Sequence, residues 1–166
     1  GMGNVARMSP GMSTSSGSGL PRFLEGSRYY SQWAGVPYHI YSPFESADDY
    51  SDDIKSRPLV ANYVARGSVY LPGDSGLCVP LELSLGVHSD AGWRPDHTHI
   101  GTLGIYTTDW NNGVTGAGLS RLTSRDLVDM IMSHIKKDMD INFGQWTRRQ
   151  MYDKNYGESR EPLIPG

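Results

Sequence analysis

The 166 residues contain one cysteine, Cys78, so neither an intrachain disulfide nor a thiolate zinc knuckle can form. Long hydrophobic runs are missing too. No stretch approaches the roughly 18 apolar residues that cross a bilayer, which excludes a membrane-spanning helix. Positive charge is not in excess: 15 Lys and Arg stand against 18 Asp and Glu, for a net charge of −3. The basic residues are scattered rather than gathered into a phosphate-binding stripe, so nucleic acid is not expected as a partner. There is no G-x-S-x-G elbow for a serine hydrolase, and no G-x-G-x-x-G or P-loop for nucleotides. The first residues carry no apolar h-region, so no signal peptide is read in them.

What remains is a globular, loop-rich composition: 37% hydrophobic and 20% charged residues, with 20 Gly and 10 Pro. Residues 1–20 are small, polar and Gly/Ser-rich and read as a flexible segment, leaving 21–166 as one domain. Pro21 suits a first helical position, Phe23, Leu24, Tyr30 and Trp33 supply a partly apolar face, and Gly35 stops the helix. The aromatic residues of this helix are expected in the core. Tyr38-His39-Ile40-Tyr41 predicts a short strand with His39 packed inside. A helix follows over about 53–64, its start blurred by Pro58. Leu81 to His88 has the clearest pattern, with Leu81, Leu83, Leu85 and Val87 on one face and Glu82, Ser84, Gly86 and His88 on the other. A further strand is expected at 100–107. The helix beginning at Ser124 carries Leu127, Ile131 and Ile135 on its buried face, with His134 at that face's edge.

Several motifs, taken in order, carry a resemblance. They are P-R-F-L-E at 21–25, H-S-D-A-G at 88–92, I-G-T-L-G-I-Y at 100–106, S-R-D-L at 124–127, and W-T-R-R followed by Y-x-E-S-R at 146–160. Together they resemble bacterial zinc-dependent N-acetylmuramoyl-L-alanine amidases. Closer still, they are similar to the amidase-like domain of bacterial proteins labelled xanthan lyase, over roughly residues 19–162 by motif order. The resemblance implies a three-layer α/β fold: a mostly parallel or mixed central sheet with helices on both faces, here lacking a terminal strand. It implies zinc-dependent cleavage of the amide joining muramic acid to L-alanine in peptidoglycan, with a secreted or cell-envelope location. It places metal ligands at His88 and Glu25, with site support at Asp90 and Arg57. Trp93, in a loop beside His88, is read as a candidate for stacking on a glycan.

The chemistry fits His88, because sheets of this type place ligands at strand ends. Zinc held by three protein ligands, with a fourth position open, activates water, and a carboxylate moves the proton. Departures from the pattern are specific. Met12 stands where the family has its first His, and the family's catalytic Glu is expected beyond Gly166, so the chain alone is expected to be inactive. Read without the family, a strand-end His is more often structural, and a first-turn Glu such as Glu25 is favoured by the helix dipole alone. Asp96-His97-Thr98-His99 is a rival metal motif, since His97 and His99 share a strand face. A non-catalytic glycan or cell-wall binding module with a degenerate metal site is the alternative. A polysaccharide-lyase-associated domain is the third, although no base and charge-neutralising group for a uronic acid can be assembled. An unpaired sheet edge is expected to pair with another copy of the chain.

Overall fold

Gly26 is extended (φ −75°, ψ 136°) and caps the first helix, α1 (Ser27–Trp33). The computed structural model describes residues 19, 26–73, 75–88, 95, 96, 98 and 100–166. They divide into two compact units, Gly1–Pro80 and Leu81–Gly166.

The first unit is helical. Gly35, at φ 82°, lies just beyond the end of α1. The short helix α2 (Tyr38–Tyr41) and the long helix α3 (Asp49–Ala65) follow, and α1 and α2 both pack against α3. α3 begins earlier than its sequence suggested because Asp48 caps it, accepting from the Ser51 amide at 3.1 Å and the Ser51 hydroxyl at 2.6 Å. Those bonds hold the Asp48 carboxyl below its ordinary range. Pro58 lies inside α3, where it removes one helical donor without ending the helix.

Tyr38–Tyr41 corrects the strand expected there. The Ile40 amide bonds the Pro37 carbonyl at 3.0 Å and the Ser42 amide bonds Tyr38 at 2.8 Å, closing a helical turn. Burial agrees: Ile40 and Tyr41 are inside while Tyr38 and His39 are exposed, a grouping that β alternation cannot produce. His39 is therefore not a packed core histidine.

The centre of this unit is polar. Arg28, Asp49, Asp52, Ser42 and Ser56 are all buried. The Arg28 guanidinium donates to Asp49, to Ser42 Oγ at 3.1 Å and to Ser46 Oγ at 2.5 Å, and it lies 3.7 Å from Asp52. Asp52 accepts from the amides of Phe44 (2.7 Å) and Ser46 (3.1 Å), which closes the 42–48 connection onto α3. Tyr29 donates to Asp49 at 2.6 Å.

Burial, and then this bond to a carboxylate, raise the Tyr29 phenol well above its ordinary value, with Arg28 opposing. The fold thus favours the neutral phenol. Its contribution to stability is complete below about pH 10, the ordinary tyrosine value, and declines as pH rises from there through Tyr29's own higher value. In an alkaline absorbance titration, one of the 10 tyrosines is expected to ionise only as the helical signal is lost. Tyr29→Phe should remove that late step. A Tyr29 that ionises with the exposed tyrosines while the helices stay intact contradicts the assignment.

The described residues of the second unit contain one β–α–β piece: β1 (Ile105–Tyr106), α4 (Leu122–Phe143) and β2 (Tyr152–Asp153), followed by a short turn of helix, α5 (Gly157–Arg160). β1 and β2 are parallel, with Ile105 beside Tyr152 and Tyr106 beside Asp153. The Tyr152 amide bonds the Gly104 carbonyl at 2.9 Å and the Lys154 amide bonds Tyr106 at 2.8 Å. Gly104 lets α4 close onto the strand, since a Cβ there would come within 2.4 Å of Val128. The buried stripe of α4 is Ser124, Val128 and Met132, one residue round from the expected one; Leu127, Ile131 and Ile135 flank it half-buried, and His134 is exposed.

The three-layer sheet with helices on both faces is not what the described residues build. They form a mostly helical chain with one two-stranded parallel sheet. The run Leu81–His88 is not a strand and joins no ladder with the described residues. Its Ser84 amide bonds the Pro165 carbonyl at 2.8 Å, while Leu83, Leu85 and Val87 face solvent. Alternation requires only extended backbone; a strand also needs a neighbouring edge and a covering layer. No helix among the described residues is long and apolar enough to cross a membrane.

Candidate functional site at the carboxyl end of the parallel pair

β1 and β2 both run toward the same end of the second unit, and the chain beyond each is held there by buried hydroxyls. Thr107, just past β1, donates to the Lys154 carbonyl at 2.6 Å and lies 2.8 Å from Ser159 Oγ. Ser159 is on α5, so this bond fixes α5 against the end of β1. Asp153 accepts from the Thr108 amide at 3.0 Å and from its hydroxyl. Arg121, buried at the start of α4, completes the mount. It donates to the carbonyls of Val114 (3.3 Å), Ser159 (3.4 Å) and Arg160 (2.7 Å). A cation at the carbonyl end of a helical turn is favourably placed, though burial lowers the Arg121 pKa.

This scaffold carries Glu158 in the first turn of α5. His88 meets it: the imidazole Nε2 lies 2.7 Å from Glu158 Oε2, with the side chains 45% and 27% exposed. A carboxylate facing Nε2 favours a proton on that nitrogen. In the neutral imidazole so oriented, Nδ1 carries the lone pair and is the atom able to accept a proton or bind a metal. A carboxylate fixing the tautomer of a reactive or metal-binding histidine is a recurrent arrangement.

Among the residues singled out by sequence, His88 occupies this site. Glu25, Asp90 and Trp93 lie outside the described residues, as do His97 and His99. Arg57 belongs to the first unit, where it bonds Asp53 at 2.7 Å and Ser27 Oγ at 3.1 Å. Asp53 in turn accepts from the Arg28 amide at 2.9 Å, so this cluster ties the start of α1 to α3. Glu158 was not weighed as a site residue, although it is the acidic position of the Y-x-E-S-R motif. That motif's place after W-T-R-R was the available signal.

Zinc needs three protein ligands in a catalytic site. Among the described residues no group of three His, Cys, Asp or Glu side chains is placed to hold a metal. His88 Nδ1 is one donor of suitable chemistry. The described residues do not complete the set, so the reactivity of the site is derived from His88 and Glu158 themselves. No family model, no curated protein and no solved structure matches this chain.

Proposed function

We propose that the chain is a cell-wall hydrolase domain that cleaves an amide bond in peptidoglycan, with His88 as the proton-transferring base and Glu158 as the carboxylate that orients it. The observation that carries this reading is the 2.7 Å approach of His88 Nε2 to Glu158 Oε2, which in the neutral imidazole favours Nδ1 as the basic nitrogen. The motif resemblance supplies the substrate class and the envelope location. Nδ1 takes a proton from water as its oxygen adds to the amide carbonyl. The same proton then goes to the departing nitrogen as the C–N bond breaks, giving a carboxylate and an amine. Glu158 stabilises the imidazolium formed between the two steps. Zinc remains the cofactor that the resemblance implies. The described residues do not complete a zinc site, and a His88 Nδ1 that ligated zinc could not also take the water's proton, so no step is assigned to the metal.

A second reading, a glycan-binding module without catalysis, is favoured by one observation. Tyr30 and Trp33 were expected in the core but are exposed on α1, Trp33 by 81%, with ring centroids 5.8 Å apart. Mass spectrometry of a peptidoglycan digest, run with and without added zinc, separates the readings. The hydrolase yields glycan chains bearing free lactyl carboxylates together with stem peptides that begin with alanine. Retention on the insoluble wall with no soluble product supports the module and contradicts the hydrolase. Unsaturated sugar ends would instead identify a lyase.

A further inference from the structure

α5 has a second neighbour. The Arg160 guanidinium lies over the indole of Trp110, 4.8 Å from the ring centroid. That guanidinium is fixed, donating to Glu161 Oε1 at 2.9 and 2.7 Å and to Asn155 Oδ1 at 3.1 Å. Trp110 is nonetheless 41% exposed. Its loop is equally well fixed. Asn111 and Asn112 adopt φ of 52° and 55°, and the Asn111 side-chain Nδ2 donates to the Val114 carbonyl at 3.1 Å. Arg121 bonds that same Val114 carbonyl together with two carbonyls of α5. One buried cation therefore mounts the Trp110 loop and the Glu158 turn on a common support.

From these contacts the geometry points to Trp110 as a saccharide-stacking subsite adjoining the His88–Glu158 pair. The proposal rests on the hydrolase reading and names the part of the substrate that the pair does not touch. An indole already carrying a guanidinium is a poor platform for a second cation, because the first has used its quadrupole. The apolar C–H face of a neutral pyranose meets no such penalty and gains from the flat, water-exposed ring. Asp109 and Asn112, both exposed, stand one and two residues from Trp110. Their carboxylate and amide suit sugar hydroxyls and acetamido groups. Arg160 and Glu158 are two positions apart on α5, about 5.4 Å between Cα atoms and on opposite sides of the turn. A sugar on Trp110 and a peptide bond at His88 would thus lie on two sides of α5, which fits a glycan strand whose stacked sugar is not the one bearing the cleaved amide. Because the loop is held before binding, little ordering is needed when a sugar arrives.

The test is isothermal titration of the full chain with chitotetraose, a soluble oligomer of N-acetylglucosamine, alongside hydrolysis of peptidoglycan. The full chain should bind, and Trp110→Ala should weaken binding at least tenfold and raise KM while kcat holds. Trp110→Phe should retain most of the affinity, which guards against a folding defect. Glu158→Gln should leave chitotetraose binding within twofold while hydrolysis falls. Absence of binding by the full chain, or unchanged binding in Trp110→Ala, overturns the subsite. Trp110-dependent binding without hydrolysis by the full chain upholds the subsite and removes the hydrolase reading.

Discussion

Replacing Arg28 with methionine is expected to destabilise the first unit by about 3–5 kcal/mol, the range for breaking a buried ion pair by removing one partner. Methionine keeps the apolar stem, so the loss comes from the charge. Asp49 would lose the guanidinium and Asp52 its nearest cation, with both carboxylates still buried. Asp52 retains the amides of Phe44 and Ser46, and Asp49 retains the Tyr29 hydroxyl, which is why the loss stays within this range. Typical domains hold only about 5–15 kcal/mol in total, so such a loss is a large fraction of what holds three helices together. Urea unfolding followed by helical circular dichroism reads it as a lower midpoint. Adding Asp49→Asn and Asp52→Asn to the Arg28 variant should recover part of the loss, because neutral amides are cheaper to bury than unpaired carboxylates. A midpoint unchanged by Arg28→Met would mean that these groups are not buried together.

The second large effect concerns the site. Glu158→Gln keeps the size of the side chain but replaces the charged acceptor of His88 Nε2–H with a neutral amide, which removes the control of the tautomer and the stabilisation of the imidazolium. His88→Ala removes the base. Each change is expected to lower kcat/KM for amide cleavage by about 10²–10⁴, the usual worth of a positioned acid–base group. Neither residue lies in the apolar core: His88 is exposed and Glu158 partly so, and thermal unfolding of both variants should stay close to that of the parent chain. A drop in activity matched by a drop in melting temperature would point to a structural role instead.

Local signals in the sequence were read better than long-range ones. Gly35 marked the end of α1, and the helix around Ser124–Ile135 was legible from its period, because amphipathicity is written within a few residues. The starts were not: α1 begins at Ser27 after an extended Gly26, and α4 at Leu122, so that Ser124 lies inside the helix and does not cap it. The buried stripe of α4 was missed by one position, since the Val128–Met132 line is chosen by the gap at Gly104, just before β1 and 24 residues upstream of Val128. The strand expected at Tyr38–Tyr41 failed because a four-residue run of aromatic and β-branched side chains cannot tell a strand from a helical turn, and Pro37 decided for the turn. Leu81–His88 failed differently. It alternates in sequence, but no neighbouring strand among the described residues turns it into a sheet, and its apolar residues Leu83, Leu85 and Val87 are exposed. The three-layer fold that the resemblance implied fails as well. His88 was legible because it ended that run within the H-S-D-A-G motif. Glu158 was not, because its meeting with His88 depends on how α5 is fastened to β1 by Thr107 and Ser159, contacts separated by 52 positions.

The central claim is that His88 and Glu158 act as a single unit, and a double-mutant cycle on peptidoglycan hydrolysis tests it most directly. kcat/KM is measured for the parent chain, His88→Ala, Glu158→Gln and the double variant. Groups that act as one unit are strongly non-additive, so the double variant should lose little more activity than His88→Ala alone. Losses that multiply, or hydrolysis that survives His88→Ala undiminished, would contradict the pair.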